Sequence, residues 1–144
     1  MELNASSLSP NNALLLEDEP KDRLATRMHL ELMGFTVYDT PSPIEAKEIF
    51  EQHDFSIVLL HLGFSQLSSL EVCRKIRSAS TVPILMFTAR GELVDEQMVM
   101  SAGADDYITK PIESKILTSR ITQQLKRGQS QRAPRANILK WGPL

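Results

Sequence analysis

Short, continuously apolar runs alternate along this chain with longer segments whose apolar residues recur at helical spacing. Residues 13–16 (ALLL) form the first run and end in Glu17-Asp18-Glu19. Pro20 suits the first turn of a helix, in which Leu24, Met28 and Leu32 recur until Gly34 stops it. Residues 35–38 predict a second strand. Ser42, Pro43 and Glu45 give a capping-box start to a second helix, with Ile44, Ala46, Ile49 and Phe50 as its apolar side. Residues 56–60 (SIVLL) predict a third strand that delivers His61 at its end. Ser68 and Glu71 repeat the capping pattern for a helix to about residue 77, and 82–87 (VPILMF) predict a fourth strand ending at Thr88-Ala89. A helix over about 94–101 closes at Gly103, and 107–109 predict a short fifth strand. The final helix spans 112–126, with Ile116, Leu117, Ile121 and Leu125 inward and Gly128 after it.

Strands alternating with helices predict βαβ units, a parallel sheet and right-handed crossovers. Strands that are apolar throughout fit a sheet covered on both faces. The fold class expected is therefore α/β, doubly wound, with βα repeated five times. In such folds functional groups gather at the carboxyl ends of the strands. Those ends carry Glu17 and Asp18, His61, Thr88 and Lys110.

Charge refines this picture. The net charge of −2 is uneven, because all 18 acidic residues lie at or before Glu113. Lys126, Arg127, Arg132, Arg135 and Lys140 form an acid-free tail, leaving 11 basic residues and a charge of −7 ahead of it. An acidic body repels nucleic acid, so the body is not expected to bind DNA. No apolar run approaches the roughly 20 residues of a membrane helix. The N-terminus has neither a basic start nor an apolar signal segment, and the single Cys73 excludes an internal disulfide. A cytoplasmic protein without membrane contact is expected.

Domain boundaries follow from composition. Residues 1–11 are polar and expected to be flexible, and 12–127 hold the α/β domain. Residues 128–137 (GQSQRAPRAN) predict a linker, and 138–144 (ILKWGPL) resume an apolar pattern too short to fold alone. They are expected to begin a further, truncated domain.

Several stretches resemble the response-regulator receiver domain: LLLEDEP, SLEVCRKIR, VPILMFTAR and above all AGADDYITKP. The likeness covers residues 12–127. With the tail it points to the winged-helix subfamily (OmpR/PhoB-like), ILKWGPL resembling the first strand of that subfamily's DNA-binding domain. The resemblance implies a flavodoxin-like (CheY-like) five-stranded parallel sheet. It also implies an acidic pair for Mg²⁺, matched by Glu17 and Asp18, and phosphoryl-stabilising residues matched by Thr88 and Lys110. Tyr107 matches a switch aromatic, and Lys110-Pro111 matches a junction that is commonly cis.

His61 falls where the family has the Asp that accepts a phosphoryl group from a histidine kinase. The family also has Pro where Ser65 stands and Gly where Ser69 stands. Mg²⁺ is a hard ion that takes oxygen ligands, so His61 removes both a charge and a ligand, and Mg²⁺ binding is expected to be weak or absent. Imidazole suits zinc, copper or nickel, but with one His here and no Cys nearby no metal site and no cofactor are expected. Two states of His61 are open. A protonated imidazole beside Glu17 and Asp18 would replace the metal by a fixed cation, or a neutral one would be hydrogen-bonded in place.

The subfamily pairs protomers through salt bridges on the fourth helix, fifth strand and fifth helix. Asp106 and Arg120 match one such pair. Glu96 with Ile116, and Ser101 with Thr122, depart from the other two. Exposed Met98, Met100 and Ile116 would make this face more apolar, so the fragment is expected to be monomeric or a weak dimer with a protein partner. The reading is a pseudo-receiver: no enzyme and no catalytic residue, but the regulatory domain of a transcription regulator that works without aspartyl phosphorylation. DNA would be met only through the missing C-terminal domain. Cyanobacterial stress regulators of the non-bleaching type are similar in kind. The alternatives are a phosphotransfer receiver modified at His61 or a nearby residue, and a protein-binding adaptor.

Overall fold

The computed structural model describes residues 11–63, 66–89 and 96–141. Five strands and five helices alternate: β1 (Asn12–Leu16), α1 (Pro20–Leu32), β2 (Thr36–Thr40), α2 (Pro43–Gln52), β3 (Ile57–His61), α3 (Gln66–Ala79), β4 (Ile84–Thr88), α4 (Glu96–Ser101), β5 (Asp106–Thr109) and α5 (Ser114–Trp141). All strand pairs are parallel, in the order β2-β1-β3-β4-β5. This is the doubly wound, flavodoxin-like sheet that the alternation predicts.

The central strands β1, β3 and β4 are buried on both faces, which is why they lack polar alternation, whereas the edge strands β2 and β5 are partly exposed. Successive side chains of β1 divide between two cores. Leu14 and Leu16 join Leu60, Leu70, Ile76 and Met86 on the side of α2, α3 and α4. Ala13 and Leu15 join Leu30, Leu59, Phe87, Leu117 and Ile121 on the side of α1 and α5.

Local chemistry sets the helix ends. Glu19 caps α1, its side chain accepting from the Lys21 and Asp22 amides at 2.9 and 3.0 Å, with Pro20 opening the first turn. Gly34 and Gly103 follow α1 and α4 with φ of +101° and +114°, a conformation that favours glycine. The box at α2 is only half formed. Ser42 Oγ accepts from the Glu45 amide at 3.2 Å, but the Glu45 carboxylate takes the Thr40 hydroxyl instead of the Ser42 amide. Thr40 Oγ1 in turn accepts from the Ser42 amide at 3.0 Å.

Several expectations need correction. The residues that reveal α1 are not those it buries. Leu24, Met28 and Leu32 are 59%, 54% and 88% exposed, while Leu30 packs inward. Ile44 and Ile116 also face outward, whereas Ala46, Leu117 and Ile121 are buried as expected. Helix α3 begins at Gln66, so Ser68 lies within its first turns and does not cap it. The last helix does not stop before Gly128 but runs 28 residues to Trp141. A glycine costs a helix interior about 1 kcal/mol relative to alanine. Here its missing side chain permits close packing, since a Cβ at Gly128 would lie 3.1 Å from Pro83 Cγ. The linker at 128–137 and the domain start at 138–144 thus fall on a segment helical through Trp141. The flexible stretch (apart from Asn11), the helix start at 94, Ser65 and residues 142–144 lie outside the described residues. No helix among the described residues is long and apolar enough to cross a membrane.

Cys73 on α3 is fully buried, its thiol donating to the Ala102 carbonyl at 3.5 Å. Burial pushes this thiol up to about 11 from its ordinary 9.0. The unfolded chain ionises first, so this contribution to stability is intact below pH 9 and declines as pH rises toward 11. Cys73 should stay unlabelled by a thiol reagent in the folded protein at pH 8 and react at once in denaturant. Rapid labelling of the folded chain would contradict this packing.

Candidate functional site

The parallel register aligns the carboxyl ends of β1, β3, β4 and β5 on one edge of the molecule. Leu16 pairs with Leu60, His61 with Phe87, and Thr88 with Thr109. The residues just beyond meet there. Glu17 is completely buried and His61 is 7% exposed, whereas Asp18 stands at the surface.

Burying a carboxylate demands partners. Lys110 Nζ lies 2.5 Å from Glu17 Oε1 and 2.8 Å from Asp22 Oδ2. Glu17 Oε2 accepts from the Glu19 amide at 3.1 Å. The Glu17 backbone is fixed as well, its amide donating to the Thr40 carbonyl and its carbonyl accepting from Arg23, each at 3.0 Å. Lys110 is placed by its own amide, which donates to the Thr88 carbonyl at 2.7 Å, and by a cis bond to Pro111.

His61 sits between the two acids of β1. Nδ1 is 3.8 Å from Glu17 Oε1, and Nε2 is 3.6 Å from Asp18 Oδ1. These separations exceed the roughly 3.2 Å of an N–H···O bond. Nδ1 is buried with no hydrogen-bond partner among the described residues. A buried polar atom left unpaired costs about 1–3 kcal/mol, so this nitrogen stands out in an otherwise satisfied core.

Thr88 is buried and directs its hydroxyl toward Tyr107 Oη at 3.4 Å, so the two lie side by side as the topology predicts. The candidate interaction face is on α4, β5 and α5. Arg120 Nη1 binds both oxygens of Asp106, at 2.9 and 2.8 Å, within the one chain. Met98, Met100 and Ile116 are each a little over two-fifths exposed, and Glu96, Ser101 and Thr122 are exposed with them.

Four contributors escape sequence reasoning. Asp22 shares Lys110, and its signal is its position one helical turn after Asp18. Ser69, which stands where the family has Gly, is buried and donates to the His61 carbonyl at 2.8 Å. Gly63 makes room for Asp18, since a Cβ there would fall 2.6 Å from Asp18 Oδ2. Arg23 ties the Glu17 carbonyl to Asp39, which it meets at 3.3 Å. His29 and His53 lie outside the site: His29 bonds Thr118 Oγ1 at 2.9 Å, and His53 packs on Tyr38 with ring centroids 4.4 Å apart.

Mg²⁺ is the ion that this fold family implies. It requires near-octahedral oxygen coordination at about 2.1 Å. The third donor here is a nitrogen, not an oxygen. These residues do not fit Mg²⁺.

Residues 13–122 match the model of the response regulator receiver domain. The chain is similar to the transcriptional regulatory protein CseB of Streptomyces avermitilis, at 34% identity over 92% of this chain and 61% of that protein. It spans between half and three fifths of the length of such curated relatives. Among solved structures it superposes on the receiver domain of the TMAO respiratory system regulator TorR with a TM-score of 0.75, at 31% identity over 83% of this chain and 99% of that one. A CheY-like receiver from Methanospirillum hungatei gives 0.78 at 22% identity, over 85% of this chain and 99% of that one.

Removing the ammonium leaves Glu17 as a buried charge short of its nearest cation. Lys110→Met should lower unfolding stability by about 3 kcal/mol, with Glu17→Gln added to it recovering most of the loss in denaturant titrations. A Lys110→Met protein as stable as wild type would show that the pair is not holding this edge together.

Proposed function

The chain belongs to the response regulator receiver family, and on that premise we propose a pseudo-receiver, the regulatory domain of a transcription regulator that works without aspartyl phosphorylation. The observation that carries this reading is the environment of His61. It occupies the end of β3 between Glu17 and Asp18, where a carboxylate would be needed to attack a phosphoryl group. Catalysis of phosphoryl transfer is chiefly positioning and charge neutralisation. Here the approaching phosphoryl oxygens would meet Asp18 at the surface, no Mg²⁺ ligand set, and a lysine already shared by Glu17 and Asp22.

Lys110 compensates Glu17 from one side, a fixed cation of the chain itself beside the acidic pair. Thr88 and Tyr107 then serve as packing partners.

Signalling would pass through protein contacts, with the apolar face of Met98, Met100 and Ile116 as the surface offered and no strong dimer of this fragment. Regulation of transcription would be completed in the cytoplasm by a DNA-binding domain beyond the receiver, for which 128–137 would be the linker and 138–144 the beginning. A stress-response role rests only on the likeness to non-bleaching-type regulators.

Incubation with acetyl phosphate or phosphoramidate and Mg²⁺, read by intact mass, tests the proposal. The mass should be unchanged and the thermal midpoint unmoved. Addition of one phosphate would contradict it, and mapping that phosphate to His61 or to a neighbouring acid would favour the phosphotransfer alternative.

A further inference from the structure

His61 is more than a missing carboxylate. Its distances to Glu17 and Asp18, 3.8 and 3.6 Å, are too long for hydrogen bonds. The Nδ1–Glu17 separation is close to another spacing. Two donors each about 2.1 Å from one zinc ion lie roughly 3.4 Å apart at the tetrahedral angle. One donor atom from each of Glu17, Asp18 and His61 falls within 4.8 Å of the others, the only such group of three among the described residues. Independently, His61 Nδ1 is buried, unpartnered and directed at Glu17.

We propose that Glu17, Asp18 and His61 form a site for a borderline divalent transition ion, Zn²⁺ or Co²⁺, in place of Mg²⁺. Imidazole nitrogen suits these ions and carboxylate oxygen completes the set, whereas Mg²⁺ takes oxygen. Nδ1 and Glu17 Oε1 supply two ligands. Asp18, on the exposed side, has a carboxylate oxygen within 4.8 Å of the other two donors, and Gly63 leaves space for it. Lys110 is also held by Asp22 at 2.8 Å, so Glu17 Oε1 would be shared between the ammonium and the ion. The Glu19 amide on Glu17 Oε2 holds that carboxylate's plane, an orienting contact of the kind that tunes metal affinity. A cleft of about 370 Å³ lined by Asp18, Glu19, Asp22, His61 and Lys110 borders the three donors. Sequence spacing gives no hint of this, since the three donors come from the ends of two strands 43 residues apart in the chain.

This inference goes beyond the signalling reading and is tested separately from it. The 144-residue chain is titrated with ZnCl₂ by calorimetry and with CoCl₂ by visible absorption, with and without millimolar Mg²⁺. One ion should bind per chain, unaffected by Mg²⁺. His61→Ala should weaken it about tenfold or more, and His61→Asp should reverse the preference toward Mg²⁺. Because either variant could perturb folding, imidazole NMR of the wild type gives a second readout. Co²⁺ should broaden the His61 ring signals before those of His29 and His53. Absence of one-site binding, equal competition by Mg²⁺, an unchanged His61→Ala, or first broadening at His29 or His53 would each overturn the proposal. Phosphate uptake from a small donor would count against the pseudo-receiver and leave this site standing.

Discussion

Glu17 carries a charge that the fold buries completely, and the arrangement of this end of the molecule follows from satisfying it. A carboxylate withdrawn from water needs a cation and hydrogen-bond donors at short range. Lys110 reaches it from the end of β5 across two intervening strands, and the Glu19 amide closes on it from the first turn beyond β1. That requirement fixes Lys110, and with it the turn into α5. Asp22 then shares the ammonium, so α1 is tied to the same point. Four separate parts of the chain are thus held by one interaction, and His61 must find its place among charges already paired.

In a receiver built for phosphoryl transfer the acidic pair, a third carboxylate and the lysine are the reactive parts. Here the parts are mostly present, and the third is exchanged for an imidazole. The exchange alters the charge of the site in one step, from three acids to two. The ring stands between two carboxylates at distances longer than a hydrogen bond. A family resemblance of high specificity at residues 102–111 therefore coexists with a strand-end site in which an imidazole stands between the two acids.

The parallel sheet is legible in the sequence because burial on both faces makes its central strands continuously apolar, and the alternation with helical periods then leaves few topologies. Given that topology, the meeting of Glu17, Asp18, His61, Thr88 and Lys110 follows from their positions at strand ends. Helix faces are harder. Leu24, Met28 and Leu32 keep perfect helical spacing and yet point to water, because spacing marks a helix without saying which side of it the sheet will cover. Capping patterns are equally local. Ser42 caps as read, but Ser68 does not, since α3 starts earlier. The contacts of Ser69, Gly63 and Asp22 could not be read from the sequence, because each depends on a group brought near by folding: the His61 carbonyl, the Asp18 carboxylate and the Lys110 ammonium.

The central claim is that the strand-end site is closed to the chemistry of its family. Its most direct test is an amide NMR spectrum of the wild-type chain recorded with Mg²⁺ and beryllofluoride, a mimic of the acyl phosphate that forms only on a suitably placed carboxylate. The account predicts no change at Thr88, Tyr107 or Lys110. Saturable shifts spreading from residue 61 to those three would contradict it, and would mean that a neighbouring acid has taken over the acceptor's role.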